Sequence, residues 1–160
     1  MCKTKISALT RAGLIAAVYA ALTLIWPFSF GPVQVRVSEA LTVLPLFCGY
    51  SVYGLFLGCL LSGILSGSVW FDIVFGAFAT LLSALLTRKF AKKAPLALMF
   101  PVLLNALIVG PVVHFAYAGN PSPGALPYTV LTVGLGEAVA CYGLGLPLAR
   151  LLRRVSPELW

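Results

Sequence analysis

The sequence predicts an all-α integral membrane protein with six transmembrane helices, both termini in the cytoplasm and a single membrane domain over residues 1–160. Its 160 residues are 61% hydrophobic and only 9% charged, whereas soluble domains carry about 25% charged residues. The apolar residues form runs of membrane-spanning length, and the basic residues cluster at the ends of those runs. The composition therefore argues against a soluble enzyme, a disordered chain and a soluble nucleic-acid binder.

Four apolar runs are each long enough to cross a bilayer, because about 20 mostly apolar residues span its hydrocarbon core. The runs cover residues 9–26, 70–87, 95–117 and 126–152. We expect the first run to be an uncleaved span rather than a signal peptide, since no convincing cleavage site follows it and the downstream segments are also apolar.

The stretch 38–66 is either one long kinked helix or two short helices, 38–47 and 52–66. Two helices place ten of the eleven Lys and Arg residues on the cytoplasmic side and leave Arg36 outside. One helix would put the clusters at 88–93 and 150–154 outside, against the positive-inside bias. The charges therefore predict two short helices, which neighbours must shield or a thinned bilayer must accommodate.

Polar residues inside the predicted spans identify the candidate site, because ionisable groups at membrane depth are costly and by default functional. The candidates are Gln34, Arg36, Glu39, Asp72, Asn105, His114 and Glu137. They lie near the outer ends or mid-span, and the inner half holds only hydroxyls and cysteines. We expect a binding cup that is open to the outside and closed toward the cytoplasm.

Some of these residues also have a structural interpretation. Glu39 and Asp72 start predicted helices, where the helix dipole favours an acid. Asn105 is as consistent with a hydrogen bond between helices, and His114 with a solvated position beside an outer loop. Glu137 lies roughly 16 Å below the start of its helix at about 1.5 Å per residue, so it has no such explanation.

Two further sets of residues are candidates. Four aromatic residues are available to stack on a flat ligand: Trp70, Phe71, Tyr117 and Tyr142. Three alanines repeat every four residues on the first helix and form a face that another helix can approach closely: Ala12, Ala16 and Ala20. Packing inside the chain and docking of a partner chain both explain this face.

Four segments of the sequence resemble the QueT-type queuosine-precursor transporters. The segments are 31–45 (GPVQVRVSEALTVLP), 72–80 (DIVFGAFAT), 101–106 (PVLLNA) and 134–145 (GLGEAVACYGLG). The members of this family are substrate-binding S components of energy-coupling factor (ECF) transporters, and the likeness covers most of the chain.

The resemblance implies six helices, an outward cup and residence in the plasma membrane of a prokaryote. It implies capture of a 7-deazaguanine such as 7-aminomethyl-7-deazaguanine, with a transmembrane T component and two cytoplasmic ATPase subunits as partners. ATP is then used by those subunits, and this chain has no cofactor or metal of its own. Ala12, Ala16 and Ala20 would dock on the T component.

The candidate residues suit such a ligand. A guanine-type edge presents a ring N–H beside an amino group, which one carboxylate can accept, so Glu137 or Glu39 would bind this edge. Asn105 would contact the carbonyl side, and Asp72 would stabilise the aminomethyl cation.

Three other functions stay open, and one class is excluded. The chain could be an S component for another vitamin or nucleobase, or a self-sufficient proton-coupled transporter that uses Glu137 and Asp72. A divalent-metal carrier that uses His114 ranks last, because clustered His spacing is lacking. An enzyme is not expected, since no Ser or Cys is arranged with an activating base.

Overall fold

The computed structural model describes residues 5–29, 35–117 and 122–155. Within these ranges the chain is all-helical, without strands, and forms six helical segments in the predicted order. Their bounds are α1 Lys5–Ile25, α2 Val37–Leu46, α3 Ser51–Leu65, α4 Trp70–Lys89, α5 Ala94–Tyr117 and α6 Leu126–Val155. Four of these segments, α1, α4, α5 and α6, are long and apolar enough to cross a membrane. The chain is therefore a multi-pass membrane protein.

The α2 segment differs from the predicted helix 38–47 in its winding. Its ten residues form a 3₁₀-helix with Pro45 inside it, although runs of this kind seldom exceed three or four residues. At about 2.0 Å per residue it is about 20 Å long, less than the hydrocarbon core of about 30 Å. Seven of its residues are buried, so neighbouring helices shield it.

The helices α1 and α3 pack closely through small residues on both sides. Ala12, Ala16 and Ala20 are buried, and a Cβ atom added at Gly58 would lie only 2.7 Å from the Cβ of Tyr19. The alanine face is therefore used for packing inside the chain. Burial of these three alanines favours packing inside the chain over docking of a partner, the two explanations that the sequence left open.

The turn between α3 and α4 depends on Gly67. This residue has a φ of +69°, a conformation that glycine adopts without the penalty of a Cβ atom. The N–H of Gly67 donates to Ile64 O, and the N–H of Ser68 donates to Gly63 O, which together form a Schellman motif. The motif ends α3 abruptly and starts α4 beside it.

The two long C-terminal spans each contain a π-helical stretch. These stretches run over Asn105–Val109 in α5 and Val139–Gly145 in α6. Each stretch precedes a proline, Pro111 or Pro147, whose ring clashes with the carbonyl four residues earlier. Local π-winding relieves such a clash and satisfies the freed backbone groups. The wider turns begin at or just after the mid-span polar residues of both helices.

Candidate functional site

The described polar candidates are buried inside the bundle. The six residues Arg36, Glu39, Asp72, Asn105, His114 and Glu137 are each at most 6% exposed. They come from the start of α2, the first turn of α4, the middle and C-terminal part of α5 and the middle of α6. Gln34 lies outside the described residues, so its part in the site stays a prediction.

Arg36 and Asp72 form the charged part of the site. Arg36 Nη2 lies 3.8 Å from Asp72 Oδ1, and Arg36 Nε donates a hydrogen bond of 3.1 Å to Ser29 O. The hydroxyl of Tyr117 donates to Asp72 Oδ2 at 3.0 Å. One carboxylate thus joins the start of α2, the start of α4 and the end of α5.

A second carboxylate, Glu39, has a partner that the sequence analysis missed. The buried hydroxyl of Tyr19 on α1 donates a hydrogen bond to Glu39 Oε1. Tyr19 lies three residues after Ala16 and four before Thr23, on the same buried helix face. That spacing is the signal that could have placed Tyr19 in the site.

Glu137 of α6 and Glu39 of α2 share a neighbour, Cys141. Cys141 Sγ lies 3.8 Å from Glu39 O and 4.0 Å from Glu137 Oε2. The Arg36 guanidinium acts electrostatically on both carboxylates. Asn105 also interacts with Glu137, although their separation does not meet the geometry of a hydrogen bond. The acids of α2 and α6 and the amide of α5 are therefore brought together.

Several buried polar atoms of this cluster make no hydrogen bond. They are Glu39 Oε2, both amide atoms of Asn105 and His114 Nε2. Asp72 Oδ1 makes no hydrogen bond either, but it is ion-paired with Arg36. Because buried polar groups are normally hydrogen-bonded, this concentration of unpaired acceptors and donors indicates a site for a polar ligand. With three acids and one arginine, the cluster attracts a cationic or donor-rich ligand.

The site is closed. A cavity of about 10 Å³ lies between Arg36, Cys59, Ser62 and Asp72, too small for an organic ligand and at the lower limit for one water molecule. The expected outward-open cup is thus not seen among the described residues. Arg36 and Asp72, which are ion-paired with each other, both line this cavity.

The aromatic candidates are divided between different places. Tyr117 joins the cluster through Asp72. Trp70 and Phe71 stack on each other with ring centroids 3.6 Å apart and are 62% and 45% exposed. The hydroxyl of Tyr142 donates to Pro95 O at 2.8 Å, at the far end of α5. The structure therefore does not bring these last three residues to the cluster.

His114 lies on α5, with its Nδ1 atom 3.2 Å from Thr129 Oγ1 of α6. It is buried rather than solvated. Among residues 5–29, 35–117 and 122–155, no three His, Cys, Asp or Glu side chains are arranged to hold a metal ion.

Comparison with known families gives the class of protein. The family model described as QueT transporter matches residues 9–154. The chain belongs to the QueT transporter family. It is therefore a transporter and not an enzyme.

One curated relative of this QueT-family chain is the queuosine precursor transporter QueT of Lactococcus lactis subsp. cremoris (strain MG1363). It is 33% identical over 84 residues, which cover 51% of this chain and 49% of the relative. The match therefore spans about half the length of the relative. No solved structure matches the chain.

Proposed function

We propose that the chain is the substrate-binding S component of an ECF-type importer. In this role it captures a queuosine precursor, 7-aminomethyl-7-deazaguanine or a close relative, from outside the cell. Membership of the QueT family and the name of the Lactococcus relative, a queuosine precursor transporter, support the substrate class. The observation that carries the proposal is the buried group of carboxylate and amide atoms without a hydrogen bond, on Glu39 of α2 and Asn105 of α5, beside the buried Glu137 of α6.

The unpaired atoms match the edges of a 7-deazaguanine. The ring N–H and amino group would donate to Glu39 Oε2 and to the carboxylate of Glu137, since an ionised carboxylate accepts several hydrogen bonds. The amide of Asn105 would donate to the ring carbonyl. Charge-assisted bonds of this kind are about twice as strong as neutral ones, which suits capture from dilute solution.

The aminomethyl group would bind Asp72. This substituent is a cation at neutral pH, and Asp72 already lies 3.8 Å from the cation of Arg36. The ligand would replace Arg36 as the partner of Asp72. Binding would then separate the Arg36–Asp72 contact, and the aminomethyl group would take the position of the Arg36 cation.

Transport would need a T component and two ATPase subunits, which supply the energy from ATP. The chain would sit in the plasma membrane of a prokaryote with both termini in the cytoplasm. Because Ala12, Ala16 and Ala20 are buried inside the chain, the face of α1 offered to the T component would be the exposed one. That face also carries small residues every four positions: Gly13, Ala17 and Ala21.

Calorimetric titration of the purified chain in detergent with 7-aminomethyl-7-deazaguanine tests the substrate. Guanine, riboflavin and thiamine serve as controls. Selective binding of the deazaguanine supports the proposal, whereas binding of a control instead would indicate an S component for another vitamin or base. Absence of deazaguanine binding by folded protein would refute the substrate.

Glu137→Gln tests the carboxylate recognition. The substitution keeps the side-chain shape but removes a charge and one acceptor, so we expect the affinity for 7-aminomethyl-7-deazaguanine to fall more than a few-fold. Calorimetry measures the affinity, and an unchanged melting temperature shows that the variant is folded. Unchanged affinity would remove Glu137 from the site.

The alternative function is a self-sufficient proton-coupled transporter, which the three buried acids favour. Uptake of labelled precursor in cells with and without the ECF ATPase subunits separates the two. Uptake that depends on the ATPases supports the S component, and uptake that persists without them supports proton coupling.

A further inference from the structure

A cavity of about 560 Å³ lies at the other end of the bundle from the carboxylate cluster. It is lined by Leu46 at the end of α2, Ala91 and Lys92 in the turn after α4, and Arg153 near the end of α6. Glu39 lies seven residues before Leu46, or about 14 Å along a 3₁₀-helix. The cavity is therefore separate from the candidate site for the transported compound.

The surroundings of this cavity are strongly cationic. Seven cations lie on the helix ends and the turn that form it: Arg88, Lys89, Lys92, Lys93, Arg150, Arg153 and Arg154. The acids of the described residues, Glu39, Asp72 and Glu137, are at or beyond mid-span. The excess of Lys and Arg on the cytoplasmic side of membrane proteins accounts for cations at these helix ends. It does not require two of them to line one cavity.

The rest of the cavity lining is apolar. It consists of Leu46 and Ala91, and Leu46 belongs to the buried apolar cluster against which Ala91 packs. A ligand here therefore meets the cations of Lys92 and Arg153 and the apolar side chains of Leu46 and Ala91.

We propose that this cavity binds the phosphate of an anionic phospholipid, with Lys92 and Arg153 as its cationic ligands. The apolar part of the lipid lies against Leu46 and Ala91. Basic pockets between transmembrane helices are known sites for anionic headgroups. A free phosphate ion would use the two cations but not the apolar surface, which favours the lipid. The proposal does not depend on the compound that is transported.

Native mass spectrometry of the full chain in detergent tests the site with phosphatidylglycerol as the probe and phosphatidylcholine as the neutral comparison. The variant Lys92→Gln/Arg153→Gln removes the two lining cations. Its matched control, Lys89→Gln/Arg154→Gln, removes the same charge from the same two regions outside the cavity. We expect the lining variant to bind phosphatidylglycerol about 30-fold more weakly, which corresponds to two cations near a lipid headgroup.

The control variant should bind phosphatidylglycerol within a few-fold of the unmodified chain. Equal losses in both variants would mean diffuse attraction to the basic end and would overturn the site. Equal binding of phosphatidylcholine would also overturn it. Displacement of the lipid by millimolar inorganic phosphate would assign the cavity to a soluble anion instead. Both variants change exposed side chains, and a melting curve verifies that they fold.

Discussion

The hydroxyl of Tyr19 makes the hydrogen bond on which the position of Glu39 depends. It is fully buried and donates to one oxygen of that carboxylate, while the other oxygen has no partner. A buried acceptor that loses its donor bears the cost of its desolvation without compensation. Tyr19 is therefore expected to matter for stability as well as for the site.

Tyr19→Phe should lower the free energy of unfolding by roughly 1–3 kcal/mol, because it leaves the Glu39 carboxylate without a donor. Tyr53→Phe is the matched control, since Tyr53 lies on an exposed part of α3. Thermal unfolding of both variants in the same detergent provides the measurement. Equal stability of the two variants would contradict the role of the Tyr19 hydroxyl.

Asp72→Asn should separate two ligands that differ in charge. The substitution removes the carboxylate that would bind the aminomethyl cation, so binding of 7-aminomethyl-7-deazaguanine should weaken roughly tenfold or more. Binding of the uncharged nitrile precursor should change little. The two titrations control for each other on one protein, and equal losses for both ligands would argue against direct contact with the cation.

Sequence alone identified the polar candidates because charge inside a membrane is costly wherever it occurs. Glu137 and Asn105 stand out from their apolar neighbours, and the structure brings them together. A tyrosine in an apolar span carries no such cost, so Tyr19 was missed. The direction of an aromatic ring depends on packing, and for this reason Trp70 and Tyr142 were not distinguished from Tyr117.

The close contact between α1 and α3 depends on the absence of a side chain at Gly58. A Cβ atom at Gly58 would lie 2.9 Å from Ala16 O as well as 2.7 Å from the Tyr19 Cβ. Neither atom is the end of a flexible side chain, so the two helices would have to move apart. The displacement would also disturb Tyr19.

Gly58→Ala should therefore destabilise the chain by about 1–3 kcal/mol through overpacking. Gly13→Ala on α1 is the matched control, because nothing lies within 4 Å of its added Cβ. Melting temperatures in detergent compare the two. If Gly13→Ala destabilised the isolated chain as much as Gly58→Ala, helix packing would not be the reason.

Helix count and order were predictable, whereas the winding of the helices was not. The basic clusters required two crossings between residues 38 and 66, and the structure has two short helices there. The 3₁₀-winding of α2 and the π-stretches of α5 and α6 arise from prolines and from neighbours that pack against them. Hydropathy and charge contain no information on either.

At the scale of the whole molecule, α1 presents two faces with small residues every four positions. One is buried against α3, and the other is exposed. The sequence could not separate them, because both follow the same spacing and only the position of α3 decides which is covered. Any partner that docks on α1 must use the exposed face.

Ala17→Leu should leave ligand binding by the isolated chain unchanged but reduce uptake in cells that contain the ECF subunits, because it enlarges the exposed face. Ala12→Leu, on the buried face, should instead lower the melting temperature. Calorimetry, uptake and thermal unfolding of the pair separate docking from packing. Normal uptake by Ala17→Leu would exclude this face as the docking surface.

The length of the ten-residue segment α2 depends on the type of helix that it forms. As the 3₁₀-helix described here it measures about 20 Å, whereas an α-helix of ten residues measures about 15 Å. The far end of α2 is anchored, since Val43 and Leu46 belong to a buried apolar cluster. A change of α2 from 3₁₀- to α-winding would therefore shorten the whole segment by about 5 Å. Glu39, seven residues from Leu46, would move about 3.5 Å toward the basic end of the bundle.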